Sequence, residues 1–334
     1  MLKIALLDDY AQVALDSADW AGIPGAEITA FDRHLGEDDA ASVLQPFDVL
    51  CTVRERMALS RRLFERLPNL KLVTIIGMSL PNLDMEAATE HGVLVVHPDY
   101  DAPAYAAVTN ATPELTWGLM IATVRHLTRE SRRMREGLWQ NSTGVILSGR
   151  MLGLLGLGKI GRRMAEYAHV FGMKPIAWSQ NLTTEAAASV GVERVEKDEL
   201  FRRADVLSIH VRLGERTRGV VGARELALMK PDSYLINTSR GPIVDEAALI
   251  AALEAGRLAG AGLDVYDIEP LPADHPFRTM ENVTISPHLG YVTRETLRAF
   301  YGDMPAAIAA FAAGNPIRVL NPDALRHERQ RRPA

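Results

Sequence analysis

The sequence predicts an α/β fold of two parallel-sheet domains. Three observations carry that expectation. Short Val-, Ile- and Leu-rich runs alternate with helix-length polar segments, as buried parallel strands alternate with the helices that cover them. The alternation occurs twice, on either side of one long helical stretch. The chain has 334 residues, and at roughly 150 residues per domain that length suits two cores.

In the first series the apolar runs fall at residues 4–7, 28–31, 49–53, 72–76 and 93–96. None alternates cleanly, so each reads as a strand buried on both faces. Polar, helix-length segments at 60–67 and 84–91 lie among them. A long helix is then expected over 113–137. Thr112 is its cap, Pro113 suits its first turn and Glu114 its positive end. Leu115, Leu119, Ala122, Leu127 and Met134 lie on helical spacing, and Arg125, Arg129, Arg132, Arg133 and Arg135 make a solvated basic face. The second series of runs occupies 151–155, 175–178, 205–210, 234–237, 261–265 and 283–286. A final helix is expected over 294–313, and the Arg-rich tail at 326–332 reads as a frayed, solvated end.

Composition excludes several classes of function. Hydrophobic residues make up 47% and charged residues 24%, which is globular rather than disordered usage. Cys51 is the single cysteine, so neither a disulfide scaffold nor a thiolate zinc site is expected. With 37 basic and 42 acidic residues the net charge is −5, which speaks against a nucleic-acid partner. No run approaches the roughly 18 apolar residues of a membrane span. The apolar start stops at Asp8-Asp9, too soon for a signal peptide, so a cytoplasmic location without membrane contact is expected. His91, His97, His126, His169 and His275 show no metal-ligand spacing, and no metal is expected. Trp117, Met120 and Trp139 read as core or subunit contacts.

Gly156-Leu157-Gly158-Lys159-Ile160-Gly161 reads G-x-G-x-x-G. The pattern alone is weak, but here it follows an apolar strand and opens a helix at 162–170, the context a dinucleotide turn requires. Gly156 permits the tight turn, Gly158 lets backbone approach a pyrophosphate, and Gly161 lets helix and strand pack closely. The helix N-terminus offers free N–H groups to the phosphates. The next strand ends at Ser179, where a site preferring NAD usually carries Asp or Glu. No carboxylate is there to repel a 2′-phosphate and no Arg stands beside it to bind one, so NAD and NADP both remain open.

Ligands in open α/β sheets bind outside the carboxyl ends of the strands. Three consecutive strands of the second series are followed there by Arg240, Glu269 and His288. Taken singly, they read rather as a surface ion pair, a loop carboxylate and a helix-entry residue. Together, beside a dinucleotide turn, they suit hydride transfer to or from a hydroxyl-bearing carbon. Histidine moves a proton near neutral pH, a carboxylate orients it, and an arginine forks onto a substrate carboxylate.

At these residues the chain resembles the D-isomer-specific 2-hydroxyacid dehydrogenases. The matching segments are 153–161, Asn237-Thr238-Ser239-Arg240-Gly241, Gly262-Leu263-Asp264-Val265-Tyr266 running to Glu269-Pro270, and Ser286-Pro287-His288-Leu289-Gly290. The resemblance implies two Rossmann-like parallel-sheet domains. A dinucleotide-binding domain at 105–293 is inserted into a flavodoxin-like substrate domain made of 1–104 plus 294–334, with the active site in the cleft between. It implies His288 as acid/base, Glu269 as its partner and Arg240 on the substrate carboxylate. The cofactor, NAD or NADP, would be met by Gly156, Gly158, Lys159, Ile160, Gly161, Ser179, His210, Val211, Arg212, Thr238, Ser239, Arg240, Asp264, His288 and Gly290, with Asp264 holding the nicotinamide carboxamide. Arg54, Gly77, Met78 and Ser79 would meet the substrate, a small 2-keto or 2-hydroxy acid.

The chain departs from the family on the substrate side. The loop at 77–82 lacks its usual second glycine, and Tyr291 stands where a second glycine often follows His288, which would narrow the pocket. Glu269 argues against the formate dehydrogenase branch, which has an amide there. No C-terminal regulatory domain is expected after residue 315. The family resemblance also implies a homodimer through the cofactor domain, with the long helix as the candidate contact. Two other functions stand beside the enzyme. One is a dinucleotide-sensing regulatory protein of the same fold without significant turnover. The other is a methyltransferase on a similar turn, which would leave Arg240 and His288 without a joint role.

Overall fold

The computed structural model describes residues 1–54, 56–77, 80, 82–102, 105 and 108–331. The chain divides into two compact units, Met1–Val108 with Thr293–Ala334, and Thr109–Val292. Among the described residues no helix is long and apolar enough to cross a membrane.

The first unit is built on five parallel strands, β1 (Leu2–Leu6), β2 (Ala26–Ala30), β3 (Val49–Val53), β4 (Leu72–Ile76) and β5 (Leu94–Val96). Their order is β2-β1-β3-β4-β5, which is the flavodoxin-like order. All five residues of β3 and of β4 are buried, which explains their unbroken apolar runs. One face packs on helices α1 (Glu37–Val43), α2 (Arg61–Arg66) and α3 (Met85–Glu90) through Ala41, Leu44, Leu63, Phe64, Ala87 and Ala88. Ser60 and Asp84 cap α2 and α3 by accepting from the Leu63 and Ala87 N–H groups, which is why these helices start where they do.

The second unit carries seven parallel strands, β6 (Met151–Leu155), β7 (Lys174–Trp178), β8 (Glu193–Arg194), β9 (Val206–Ile209), β10 (Tyr234–Asn237), β11 (Gly260–Leu263) and β12 (Val283–Ile285). Their order is β12-β11-β10-β9-β6-β7-β8, a Rossmann sheet that reverses direction between β6 and β9. Successive residues point to opposite faces. Leu155, Leu207 and Leu235 accordingly enter one core, and Leu154, Val206 and Ile236 the other.

Several sequence expectations need correction. The helix expected over 113–137 is two helices, α4 (Ala111–Val124) and α5 (Leu127–Arg135), broken where His126 takes φ +53°. Thr112 lies inside α4 and does not cap it; Asn110 occupies the cap without a side-chain bond. The buried side of α4 is Trp117, Leu119, Met120 and Val124, while Leu127 and Met134 are exposed. The expected stripe fails because it carries one helical phase through a break. Trp139 is exposed as well, unlike Trp117 and Met120. The two-residue β8 was not expected. In the second unit the helices that follow are α6 (Lys159–Val170), α7 (Thr184–Ala188), α8 (Lys197–Arg203), α9 (Ala223–Leu228) and α10 (Glu246–Glu254).

The final helix is also two, α11 (Arg294–Gly302) and α12 (Met304–Ala312), with Asp303 between them and Pro305 in the first turn of α12. Met304 and Ala307 lie against Thr74 and Ile76 of β4, covering the other face of the first sheet. The tail is tied down rather than frayed. Arg329 donates to the Leu67 and Leu70 carbonyls, and Gln330 to those of Lys71 and Gly92. Those carbonyls sit at loop ends, where the tail's side chains offer them donors.

Candidate active site

The Gly-rich turn leaves β6 and enters α6. Gly156 has φ +103°, and a Cβ there would lie 2.8 Å from the His210 backbone carbon. At Gly161 a Cβ would lie 2.2 Å from the Gly156 oxygen, so helix and turn touch where no side chain fits. Gly158 differs: a Cβ would meet nothing within 4 Å. The turn is therefore closed at two glycines and open at the one facing the space a pyrophosphate would need. The first intrahelical bond runs from Arg162 N–H to the Gly158 oxygen at 3.0 Å. The amides of Lys159, Ile160 and Gly161 precede it and carry the positive end of the helix dipole.

The neighbouring strand ends close around this turn. The Gly156 N–H donates to the Trp178 carbonyl at 2.9 Å, which sets Ser179 beside it. After β9, the His210 N–H donates to the Leu155 carbonyl at 2.8 Å, and His210 Nε2 pairs with Ser208 Oγ at 2.8 Å. Burial pushes the His210 imidazole down to about 3, so it is neutral at physiological pH. The Ser239 hydroxyl donates to the Val211 carbonyl, joining the β10 end to the β9 end. Arg212 follows Val211 and is exposed.

Beyond β10, Asn237 shapes the turn that carries Thr238, Ser239 and Arg240. Its Oδ1 accepts from the Ser239 N–H and its Nδ2 donates to the Arg240 carbonyl, both at 3.0 Å. Thr238 bonds Thr116 of α4, hydroxyl to hydroxyl, at 2.7 Å. A Cβ on Gly241 would lie 2.0 Å from the Tyr266 carbonyl carbon. This contact seats the Arg240 turn directly on the loop that carries Glu269.

Glu269 is held at both oxygens. Oε1 accepts from the Tyr266 N–H at 3.0 Å, and Oε2 meets His288 Nδ1 at 2.5 Å. His288 takes φ +53°, a conformation costly for a side chain larger than glycine. The loop is fixed there by Asp264, whose side chain is fully buried. Asp264 Oδ1 accepts from the Ser286 hydroxyl and, at 2.8 Å, from the Leu289 N–H; Oδ2 accepts from the Gly290 N–H at 2.8 Å. Burial raises the Asp264 carboxyl above its usual range against the pull of these donors. The His288 ring packs edge-on to Tyr291 at 5.8 Å, and Tyr291 is itself buried.

With Nδ1 committed to Glu269, His288 presents Nε2 for proton exchange, and the side chain keeps 24% of its exposure. Arg240, Glu269 and His288 thus stand at the carboxyl ends of adjacent strands β10, β11 and β12, joined by backbone contacts to the Gly-rich turn. Arg54 and Gly77 belong to the first unit, at the ends of β3 and β4, where Arg54 N–H donates to the Ile76 carbonyl at 2.7 Å. Met78 and Ser79 lie outside the described residues. Among the described residues no group of three or more His, Cys, Asp or Glu could hold a metal.

Sequence reasoning missed two supports of this site. Thr112 and Thr116 sit one turn apart on α4; Thr116 holds Thr238, and Thr112 approaches Gly290, whose added Cβ would lie 3.4 Å from it. Their four-residue spacing was the available signal. The other is the clamp Asp264 makes on the His288 loop, for which nothing local in the sequence speaks.

Comparison with known proteins follows the same lines. Residues 117–290 match the family described as D-isomer specific 2-hydroxyacid dehydrogenase, NAD binding domain. The chain is 36% identical over 275 residues to a glyoxylate reductase of Thermococcus litoralis, covering 79% of this chain and 81% of that one. It is 37% identical over 302 residues to a D-3-phosphoglycerate dehydrogenase of Methanocaldococcus jannaschii, covering 90% of this chain. The chain spans about half of that relative, 55% of its length. A crystal structure of a phosphoglycerate oxidoreductase from Vibrio cholerae superposes with a TM-score of 0.86 at 35% identity, covering 94% of this chain and 100% of that one.

Proposed function

The chain belongs to the D-isomer-specific 2-hydroxyacid dehydrogenase family, and from that membership we propose that it interconverts a small 2-keto acid and its D-2-hydroxy acid. The observation that carries the reading is the 2.5 Å pairing of His288 Nδ1 with Glu269 Oε2, which leaves Nε2 for the substrate oxygen, at a strand end two strands along the same sheet from that of Arg240.

The Gly156–Gly158–Gly161 turn, the amides of Lys159 and Ile160, Ser179, the segment His210 to Arg212, Thr238, Ser239 and Gly290 would hold the dinucleotide. Asp264 would add the nicotinamide carboxamide to the donors it already accepts. When bound, the cofactor supplies or takes up the hydride. Arg240 binds the substrate carboxylate as a fork and draws electron density from the carbonyl oxygen. His288 Nε2 gives that oxygen its proton in reduction and removes it in oxidation. Glu269 keeps the imidazole oriented, accepting the Nδ1–H throughout. Arg54, Gly77, Met78 and Ser79 contribute to substrate binding. Ser179 permits either NAD or NADP.

Trp139 and Ile146 are 71% and 76% exposed, and Leu127, Met134 and Leu138 are exposed with them. Such an apolar strip on and after α5 suits burial against a second copy of the chain. Trp139→Asp together with Ile146→Asp should shift a dimeric mass in light scattering to the monomer; a native protein already monomeric removes the dimer.

The decisive experiment is a panel of glyoxylate, hydroxypyruvate and phenylpyruvate with NADH and with NADPH, followed by loss of the reduced nicotinamide. Turnover of at least one acid is expected. Tight dinucleotide binding with no turnover of any acid would overturn the reading in favour of a dinucleotide sensor.

A further inference from the structure

Glu269 stands on an exposed stretch of the second unit. Asp267, Ile268, Glu269 and Pro270 are all exposed, so core packing does not set their position and polar contacts must. Tyr266 is buried at the base of the loop, and its N–H gives Glu269 one of its two partners. The next amide, that of Asp267, donates to Glu246 Oε2 at 3.2 Å. Two consecutive N–H groups are thus held by two glutamates, one from the loop itself and one from the start of α10. All of these residues lie within the second unit.

Glu246 is not the cap of its helix. Asp245 fills that place by accepting from the Ala248 N–H at 3.0 Å. Both Glu246 oxygens reach the loop instead, Oε2 to the Asp267 amide and Oε1 to His275 Nε2 at 3.1 Å. His275 Nδ1 accepts from the Phe277 N–H at 3.3 Å, so the ring carries its proton on Nε2 and gives it to Glu246. Phe277 is buried, and its ring lies 4.9 Å from that of His275. The contacts therefore run from the core through Phe277 and His275 to Glu246, and from there to the loop. The Glu246 and His275 side chains are largely buried, which strengthens the bonds between them. Burial and the nearby Glu246 charge raise the Asp267 carboxyl above its usual range. The fold tolerates this like-charge neighbour, and what the arrangement brings is the amide contact.

We propose that Glu246 is a positioning residue for the acid/base pair: by holding the Asp267 amide it fixes the turn on which Glu269 hangs, and so the direction from which Glu269 meets His288. His275 acts one step further back, by fixing Glu246. The kinetic consequence rests on the keto-acid reading above.

Glu246→Ala removes both contacts. With whichever keto acid the native protein reduces fastest, kcat should fall about 10- to 100-fold, the loss that a small misplacement of a reacting group brings. KM and the dissociation constant of the reduced dinucleotide should stay within about threefold. In a Glu269→Gln background the same substitution should change kcat by less than about twofold, because the group it positions is already gone. Equal losses in the two backgrounds mark a merely structural residue and overturn the assignment, as does an unchanged kcat in the native background. Glu246→Gln keeps the side chain's length and one acceptor; it should lose about 3- to 10-fold and carries the same comparison if the alanine variant does not fold. A second readout needs no turnover. In protein carrying isotope-labelled histidine, the His288 Nδ1 proton shared with Glu269 should resonate far downfield and vanish in Glu269→Gln. In Glu246→Ala it should move upfield or exchange away, and an unmoved signal overturns the assignment. If the native protein reduces no keto acid, the keto-acid reading falls and this proton decides the assignment by itself.

Discussion

Glu269→Gln tests the acid/base pair most directly, because the substitution changes almost no volume and a definite number of hydrogen bonds. In the native loop the two carboxylate oxygens accept from the Tyr266 N–H at 3.0 Å and face His288 Nδ1 at 2.5 Å. A glutamine has one oxygen and one NH2 for these two places. The Tyr266 N–H can only donate, so the oxygen goes there and the NH2 faces Nδ1. Nδ1 must then accept, which forces the neutral tautomer with the proton on Nε2. The doubly protonated ring needed to complete reduction would set two donors against each other. Losing a charge-assisted hydrogen bond of this kind costs about 1.5–3 kcal/mol, or about 10- to 100-fold in kcat for reduction. Steady-state kinetics reads the effect. A variant with kcat within about twofold of native would refute the pairing as a functional one.

Four further outcomes follow from the structure. His288→Ala should lower kcat by about 100- to 10,000-fold while dinucleotide affinity, read by fluorescence titration, stays nearly native; full turnover would overturn the acid/base role. Gly161→Ala should lower stability by about 1–3 kcal/mol, because its methyl would lie 2.2 Å from the Gly156 oxygen. Gly158→Ala should keep its melting temperature, since nothing lies within 4 Å, yet weaken dinucleotide binding by at least about tenfold as the pyrophosphate loses its approach. His210 sets a pH dependence: its folded value is depressed from 6.5 to about 3, so below pH about 6.5 the unfolded chain takes up a proton that the folded chain refuses. Stability should fall with acidification at a slope approaching about 1.4 kcal/mol per pH unit from this group. His210→Asn should flatten that decline in urea titrations at about pH 4 to 6, and parallel curves would refute it.

The strands were legible because burial on both faces writes itself as an unbroken apolar run, as in β3 and β4. β8, two residues ending in Arg194, has no run long enough to read. Helix continuity was less legible: the break at His126 is a backbone event, and neither Arg125 nor His126 is a residue that stops helices by propensity. The tail at 326–331 looked solvated because arginine and glutamine usually are, yet their long stems and terminal N–H groups suit them to loop carbonyls met only in three dimensions. At the site, the residues with chemistry of their own could be found from the motifs: Arg240, Glu269, His288 and the three glycines. The residues that hold them were not. Thr116 and the clamp by Asp264 act through contacts between segments distant in sequence.

The last residues close the edge of the first sheet. Val319 bridges Val96 antiparallel, the Leu320 N–H donates to the Val95 carbonyl, and Asn321 accepts from the Val95 N–H and donates to the Val93 carbonyl. During synthesis this cover arrives only after the whole second unit. Until then a nascent chain carries β5 as a bare edge, able to recruit a stray strand from another molecule. Truncation before Val319 should therefore do its harm first as clumping during expression, and only afterwards as lost heat resistance in whatever survives.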